Sequence, residues 1–284
     1  MRLELHASTF ARAERAETVD EALDILRELP LAHFGWLLWD MPNVELPGLS
    51  TLLPAMARVE DQNLWTGTNG FPLLKQSVSF IHVIGREYHR LTGRTLADQR
   101  MLDYGSGWGR FLRLMSRYTA PDNIWGVDPW DRSIEVCARD RVWGHCVQSE
   151  YLPDTLKVEG SFDLAYAYSV FTHTSEAATR TALAAIRKTM RPDGVLAMTI
   201  RPIEYWDLAT QFIETLPVEA LKASHRETGF AFAPHMAEPG VEQHYGDTSM
   251  TLEWLARAAT GWTIASHEIS IEDPYQLIVF LRPI

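Results

Sequence analysis

From about residue 98 onward, short runs rich in β-branched and aromatic residues alternate with helical patterns, and this rhythm constrains the fold more than any other feature of the chain. The β-type runs are "RMLDY", "NIWGVD", "HCVQ", "FDLAYAY", "GVLAMTIR", "WTIASHEI" and "YQLIVFLRP", seven in all. Between them, "GRFLRLMSRY", "WDRSIEVCARDR" and "SEAATRTALAAIRKTM" read as helices. Parallel neighbours need a crossover of that kind. Only "SIEDP" separates the last two runs, so they are expected to pair as an antiparallel hairpin at one sheet edge. The expected class is α/β: a seven-stranded, mostly parallel sheet with helices on both faces.

Two regions lie outside the rhythm. Residues 1–97 read as a helical N-terminal region, with Thr18 as N-cap of "VDEALDILREL" and Glu21 completing a capping-box pattern. Within it, "NLWTGTNGFPLLKQSVSF" joins a rigid Trp65 to a turn at Gly67 and Gly70, a pattern that suits a lid. The remainder, 98–284, forms one domain interrupted by an insertion at 202–246, rich in histidine, aromatic residues and proline, which is expected to cover a substrate. Before the fifth strand, Arg191-Pro192-Asp193-Gly194 is expected to end the helix and turn the chain.

Composition narrows the partners. A net charge of -11 argues against nucleic acid, whose binding draws on clustered Lys and Arg. Cys137 and Cys146 are the two cysteines, and no C-x-x-C or H-E-x-x-H spacing marks a metal site. The most apolar early run, "LAHFGWLLW", is far shorter than the ~20 residues a bilayer requires. The expectation is a cytoplasmic protein with a small-molecule substrate, without metal, nucleic acid or membrane insertion; a homodimer is compatible with the sequence.

The first strand ends in Asp103-Tyr104 and runs into Gly105-Ser106-Gly107-Trp108-Gly109. Glycines let the backbone adopt positive φ and approach a ligand closely. A dinucleotide loop reads G-x-G-x-x-G, whereas here Arg110 stands where the third glycine belongs. A pyrophosphate would repel the carboxylate of Asp103, but an ammonium group would pair with it. The second strand ends in Asp128, placed either to accept hydrogen bonds from ribose hydroxyls or, with Pro129 after it, to cap the next helix.

This loop, together with Asp128, "FDLAYAYSVFTHTSE" and "IRKTMRPDGVLAMTI" in that order, resembles the motifs of class I S-adenosylmethionine-dependent methyltransferases over about residues 98–284. The resemblance implies a Rossmann-like sheet with its last strand inserted antiparallel between the fifth and sixth. It implies that Asp103, Gly105, Ser106, Gly107 and Gly109 surround the methionine part of S-adenosyl-L-methionine, and that Asp128 binds the ribose. Pro129 and Trp130 would lie at the adenine, and Trp65 above the cofactor. Gln148 and Ser149 stand where the family often has an Asp facing the adenine amino group, and Tyr168 and Ser169 would line the floor beneath the sulfonium. His173 matches a histidine frequent in the family, either a base or a residue that fixes the loop after the fourth strand.

In the insertion, His244-Tyr245 is the foremost candidate for taking a proton from an acceptor, with Asp247 to orient the histidine. The segments "WTGTNG", "SVFTHTSE" and "HYGDTSM" are similar to bacterial methyltransferases of surface-glycan and secondary-metabolite pathways. That similarity implies O-methylation of a sugar or other hydroxylated metabolite. N-methylation of a small amine, a nicotinamide-dependent oxidoreductase, and a cofactor-binding protein without catalysis stay open.

Overall fold

The computed structural model describes residues 3–211, 215–235 and 243–284. Parts of the insertion, 212–214 and 236–242, lie outside the described residues, including the end of "FAFAPHMAEPG" and the start of "EQHYGDTSM". The chain forms two compact units, Met1–Gln148 and Ser149–Ile284.

The first unit opens with six helices: α1 (Ala7–Ala13), α2 (Val19–Leu26), α3 (Leu31–Trp39), α4 (Pro47–Leu52), α5 (Val59–Thr66) and α6 (Gly70–Thr92). Thr18 caps α2, accepting from the amide of Glu21 at 3.2 Å. The Glu21 carboxylate reaches back to the amide of Glu17 rather than that of Thr18, so the reciprocal bond falls one residue early. Leu23, Leu26, Phe34, Leu38 and Leu49 pack with Trp143 into one core. Burial of that scale is why these helices belong with the strands that follow.

β1 (Met101–Tyr104), α7 (Arg110–Met115), β2 (Ile124–Asp128), α8 (Asp131–Arg139) and β3 (His145–Gln148) complete the unit. The three strands are parallel, with Met101 opposite Ile124 and Trp125 opposite His145. β1 and β2 are buried along their whole length, as strands covered on both faces are.

The second unit contains β4 (Phe162–Ala167), α9 (Glu176–Thr189), β5 (Met190–Ile200), α10 (Tyr205–Ala209), α11 (Val218–Thr228), β6 (Phe230–Pro234), β7 (Gly246–Met250), α12 (Leu252–Ala258), β8 (Trp262–Ile269) and β9 (Leu277–Pro283). Arg191–Gly194 do not form the expected turn. α9 passes directly into β5, and the pairing with β4 slips from Phe162–Met190 to Leu164–Val195, so these residues bulge from the strand. Pro192 has no N–H to give a ladder, and a bulge accommodates it.

β9 pairs antiparallel with both β5 and β8, and the order across the seven-stranded sheet is β3-β2-β1-β4-β5-β9-β8. The terminal hairpin and the insertion of the last strand follow the sequence reading. The β6–β7 ribbon within the insertion does not; it is a separate antiparallel pair, with Ala233 opposite Asp247. It runs through Met250, and the helix that follows begins at Leu252 behind a Thr251 cap. Among the described residues no helix is long and apolar enough to cross a membrane.

Candidate active site

The loop between β1 and α7 is strapped to the end of β2. Gly105, Gly107 and Gly109 all take positive φ, at 78°, 52° and 78°. The amides of Gly105 and Ser106 donate to the Val127 carbonyl at 2.8 and 3.1 Å, and that of Gly107 donates to Asp128 Oδ2 at 2.8 Å. The other carboxylate oxygen of Asp128 accepts from the Trp130 amide at 2.9 Å. Burial raises the Asp128 carboxyl, while the Trp130 and Gly107 amides and the Ser133 hydroxyl pull it back. Trp130 occupies the N-cap of α8 without a side-chain bond, so Asp128 serves as a strap rather than a helix cap.

Most loop amides are thus engaged internally, and what the loop offers a ligand is side-chain chemistry. Asp103 is 1% exposed and its Oδ2 has no hydrogen-bond partner, nor has the buried Ser106 hydroxyl. Burial pushes the Asp103 carboxyl well above the usual carboxylate range; Arg110 counters this, and Asp128 and Cys146 add to it. A buried carboxylate without a bonded cation is costly unless a ligand supplies one. The donor set fits the ammonium end of a nucleoside such as S-adenosylmethionine.

Trp65 lies over the loop, and a Cβ on Gly107 would stand 2.9 Å from its Cδ1. Its Nε1 donates to Ser133 Oγ at 3.1 Å and its ring packs on Trp130 at 4.7 Å between centroids. Gln148 donates to the Pro129 carbonyl at 3.2 Å. Gly109 differs from the other two, because a Cβ there would meet Val142 at 2.7 Å and Cys137 at 3.2 Å. Packing of the loop on α8, not access for a ligand, requires that glycine. Trp108 turns inward against Trp39, and the fully buried Arg113 donates to its carbonyl.

In the second unit Ser149 is buried, with its hydroxyl unpartnered. Tyr168 is buried at the end of β4, and Ser169 after it holds φ at 59°, a conformation that costs a non-glycine residue. Three contacts hold Ser169: its amide donates to Thr199 Oγ1 at 2.7 Å, and its hydroxyl meets Thr172 and Gln276. Residues 172–175 are then hydrogen-bonded to 244–248, which is extended from Tyr245 onward. The amides of Ser175, Gly246 and Thr248 donate to the carbonyls of His244, His173 and Thr172. In extended backbone successive side chains point to opposite faces.

That alternation decides which histidine meets Asp247. Asp247 accepts from Arg201 Nη1 at 2.6 Å and Tyr205 Oη at 2.7 Å on Oδ1, and from His235 Nε2 at 3.0 Å on Oδ2. Burial would raise this carboxyl; the bonds from His235 and Tyr205 and the charge of Arg201 instead hold it below the usual range. His244, an odd number of residues away, turns from Asp247 and places Nδ1 3.2 Å from Ser175 Oγ, at the cap of α9. The expected His244–Asp247 pair is therefore corrected to His235–Asp247. Tyr245 shares the Asp247 face, its ring stacked on His173 at 5.4 Å and edge-on to His235 at 5.1 Å.

His173 is held at both nitrogens. Nδ1 donates to the Gly246 carbonyl at 2.7 Å, and Nε2 accepts from Arg201 Nη2 at 3.1 Å. Burial and then Arg201 push the imidazole down to about 4, which keeps it neutral. With its lone pair engaged it offers no acceptor for a further proton, and its bonds tie the loop after β4 to Gly246 and Arg201. His173, His235 and Asp247 together resemble a metal-donor set, but the Arg201 guanidinium is already the cation of that cluster. Arg201 was not singled out from the sequence. Its signal is an arginine directly after the apolar run of β5, where a buried charge needs a partner.

Asp247 and His235 also line a cleft of about 560 Å³ whose other walls include Leu216, Leu221, Phe232 and Pro234. Trp206 is excluded from such a role, since its buried Nε1 donates to Ser249 Oγ at 2.7 Å within the core of the ribbon.

Residues 102–198 match the family model described as "Methyltransferase domain". Among solved structures, the chain is similar to the PH0226 protein from Pyrococcus horikoshii OT3, with 14% identity, 72% of this chain and 90% of that chain covered, and a TM-score of 0.52. It is also similar to an S-adenosylmethionine-dependent methyltransferase from Clostridium acetobutylicum ATCC 824, with 10% identity, coverage of 78% and 95%, and a TM-score of 0.51. At these identities the likeness is one of fold. No curated protein matches the chain.

Proposed function

We propose that this chain, a class I S-adenosylmethionine-dependent methyltransferase, methylates a hydroxyl of a sugar or other hydroxylated small molecule. The observation that carries the cofactor assignment is Asp103, whose buried, bare Oδ2 suits the ammonium group. Asp128, already bonded to the Gly107 and Trp130 amides, keeps lone pairs for ribose hydroxyls. Trp65, Pro129, Trp130 and Gln148 would border the base. Ser149, Tyr168 and Ser169 belong to the second unit, and their share in holding the cofactor rests on the resemblance alone.

S-adenosylmethionine supplies an electrophilic methyl group, and its sulfur keeps the electron pair of the broken bond. The protein's part is to align the acceptor and take up its proton. O-transfer is favoured over the alternatives because the second unit sets a histidine on a buried carboxylate at the wall of a cleft. The glycine spacing and Asp103 speak against a nicotinamide cofactor.

Calorimetric titration with S-adenosylmethionine and NADH, followed by methyl transfer to a panel of hydroxyl and amine acceptors, tests both levels. Binding of the sulfonium nucleoside with label on oxygen is expected. Binding of NADH alone overturns the cofactor reading, and label only on nitrogen overturns O-transfer.

A further inference from the structure

We infer that Cys137 and Cys146 form a site of oxidative modification beneath the cofactor loop: a hydroperoxide converts them to a disulfide, and the disulfide lowers the affinity for S-adenosylmethionine. Both cysteines belong to the first unit. The effect on affinity rests on the cofactor placement above; the disulfide does not.

Strand register places one of the two thiols. Asp103, Gly126 and Cys146 lie opposite one another across β1, β2 and β3, so their Cβ positions share one face of the sheet. A Cβ on Gly126 would stand 2.9 Å from both Leu112 Cδ1 and Ser106 Oγ, which marks that face as the one covered by α7 and the loop. Gly126 stands between Cys146 and Asp103 in this row and bears no side chain to part them. Cys146 accordingly adds to the rise that burial imposes on the Asp103 carboxyl.

Cys137 approaches from α8. Its Sγ donates to the Gly107 carbonyl at 3.4 Å and would lie 3.2 Å from a Cβ on Gly109. Because the Gly107 amide is bonded to Asp128, this residue is held at both ends, by a carboxylate and by a thiol. The two sulfurs also hydrogen-bond to each other, and they are unequal. The bond from Cys137 lowers the Cys146 thiol, burial opposes this, and Arg113 adds to the lowering. The same bond and burial push Cys137 up. Cys137 is buried and Cys146 is partly exposed. A lowered, reachable thiol beside a buried second one is the arrangement of an attacking and a resolving cysteine.

In the first step the Cys146 thiolate attacks the hydroperoxide. The S–O bond forms as the O–O bond breaks, and the departing alkoxide takes up from solvent the proton that Cys146 gave up on ionising. Cys137 then attacks the sulfur of this sulfenic acid. The S–S bond forms, the S–O bond breaks, and hydroxide leaves with the Cys137 proton as water. The thiols give up an electron pair and the hydroperoxide takes it. No S–H remains to hold the Gly107 carbonyl, so the loop loses that strap.

The test treats the reduced protein with hydrogen peroxide, maps disulfides by mass spectrometry and titrates S-adenosylmethionine by calorimetry. In wild type a Cys137–Cys146 disulfide is expected, with affinity lowered about tenfold, the weight of one lost hydrogen bond, and restored by dithiothreitol. Cys146→Ser is expected to bind as reduced wild type does, before and after peroxide. Cys137→Ser is expected to accumulate a sulfenic acid at Cys146 that dimedone labels. Absence of the disulfide in oxidised wild type overturns the pair. A disulfide with unchanged affinity overturns its hold on the loop, as does an equal loss of affinity in Cys146→Ser. If the reduced protein binds no S-adenosylmethionine, the cofactor placement fails and the effect on affinity with it, while the disulfide is still read by mass.

Discussion

Asp103 and Asp247 are 1% and 3% exposed, and the protein treats these two buried carboxylates in opposite ways. Asp247 has three bonded donors and is held below the usual range. Asp103 keeps an oxygen without a partner and is pushed up. The difference separates a finished cluster from an unfinished one: the first is part of the protein's own wall, while the second has an open oxygen that a ligand's cation would complete.

The comparison breaks first at Asp247. Asp247→Ala removes the carboxylate shared by the partly buried Arg201 and Tyr205, leaving Arg201 with Thr172 and His173, and is expected to cost about 2 kcal/mol of stability, read by denaturant unfolding. The pH dependence has a definite sign. A depressed folded pKa contributes stability that is present above the unfolded value of 3.8 and is lost as pH falls through the folded pKa. Wild type is therefore expected to lose more stability on acidification than Asp247→Ala. An equal acid sensitivity of the two would mean that the cluster does not stabilise the fold.

Asp103 should behave in the reverse sense. Its raised folded pKa contributes stability that is present below 3.8 and is lost as pH rises through the folded pKa, where the bare carboxylate must ionise. Asp103→Asn is expected to leave the free protein as stable as wild type at neutral pH, or more so, and to weaken S-adenosylmethionine binding by about 2 kcal/mol. Ionisation of Asp103 against the ammonium group should also release a proton. Calorimetry in buffers of different ionisation enthalpy would detect that release in wild type and not in Asp103→Asn; undiminished affinity in the variant would sink the pairing.

The same contrast explains what the sequence made legible. The cofactor loop lies in one contiguous stretch, and its glycines and acid are set by local spacing, so Asp103 and Gly107 were readable directly. The seven strands were readable because buried runs and helical periods alternate over a long span. The Asp247 cluster is non-local. Its partners come from the end of β5, from α10 and from beyond β6, and a single step of register changes which histidine faces the carboxylate. The β6–β7 ribbon that sets this register is only five residues long on each side and ends in Pro234, too short for periodicity to reveal.

Asp128 should give a smaller effect than Asp103, because it serves the loop as well as the ligand. Asp128→Ala is expected to weaken S-adenosylmethionine binding by about 1 to 2 kcal/mol, through lost ribose contacts and a loosened Gly107 amide. Hydrogen exchange at Gly107 separates the two contributions. Faster exchange with unchanged affinity would reduce Asp128 to its role as a strap.

The smallest effect belongs to His244, and it tests the register itself. Among the described residues its ring bonds to the Ser175 hydroxyl, which also accepts from the Ala178 amide at the start of α9. His244→Ala should therefore cost about 0.5 to 1 kcal/mol of stability as one partly exposed hydrogen bond is lost. Turnover should stay within about threefold of wild type, since no base is removed. If turnover instead falls by two orders of magnitude while cofactor affinity holds, His244 is the base, and the 244–248 segment is shifted by one residue from the register that gives Asp247 to His235. The His244→Ala variant therefore reads the alternation that sets His235, and not His244, on Asp247.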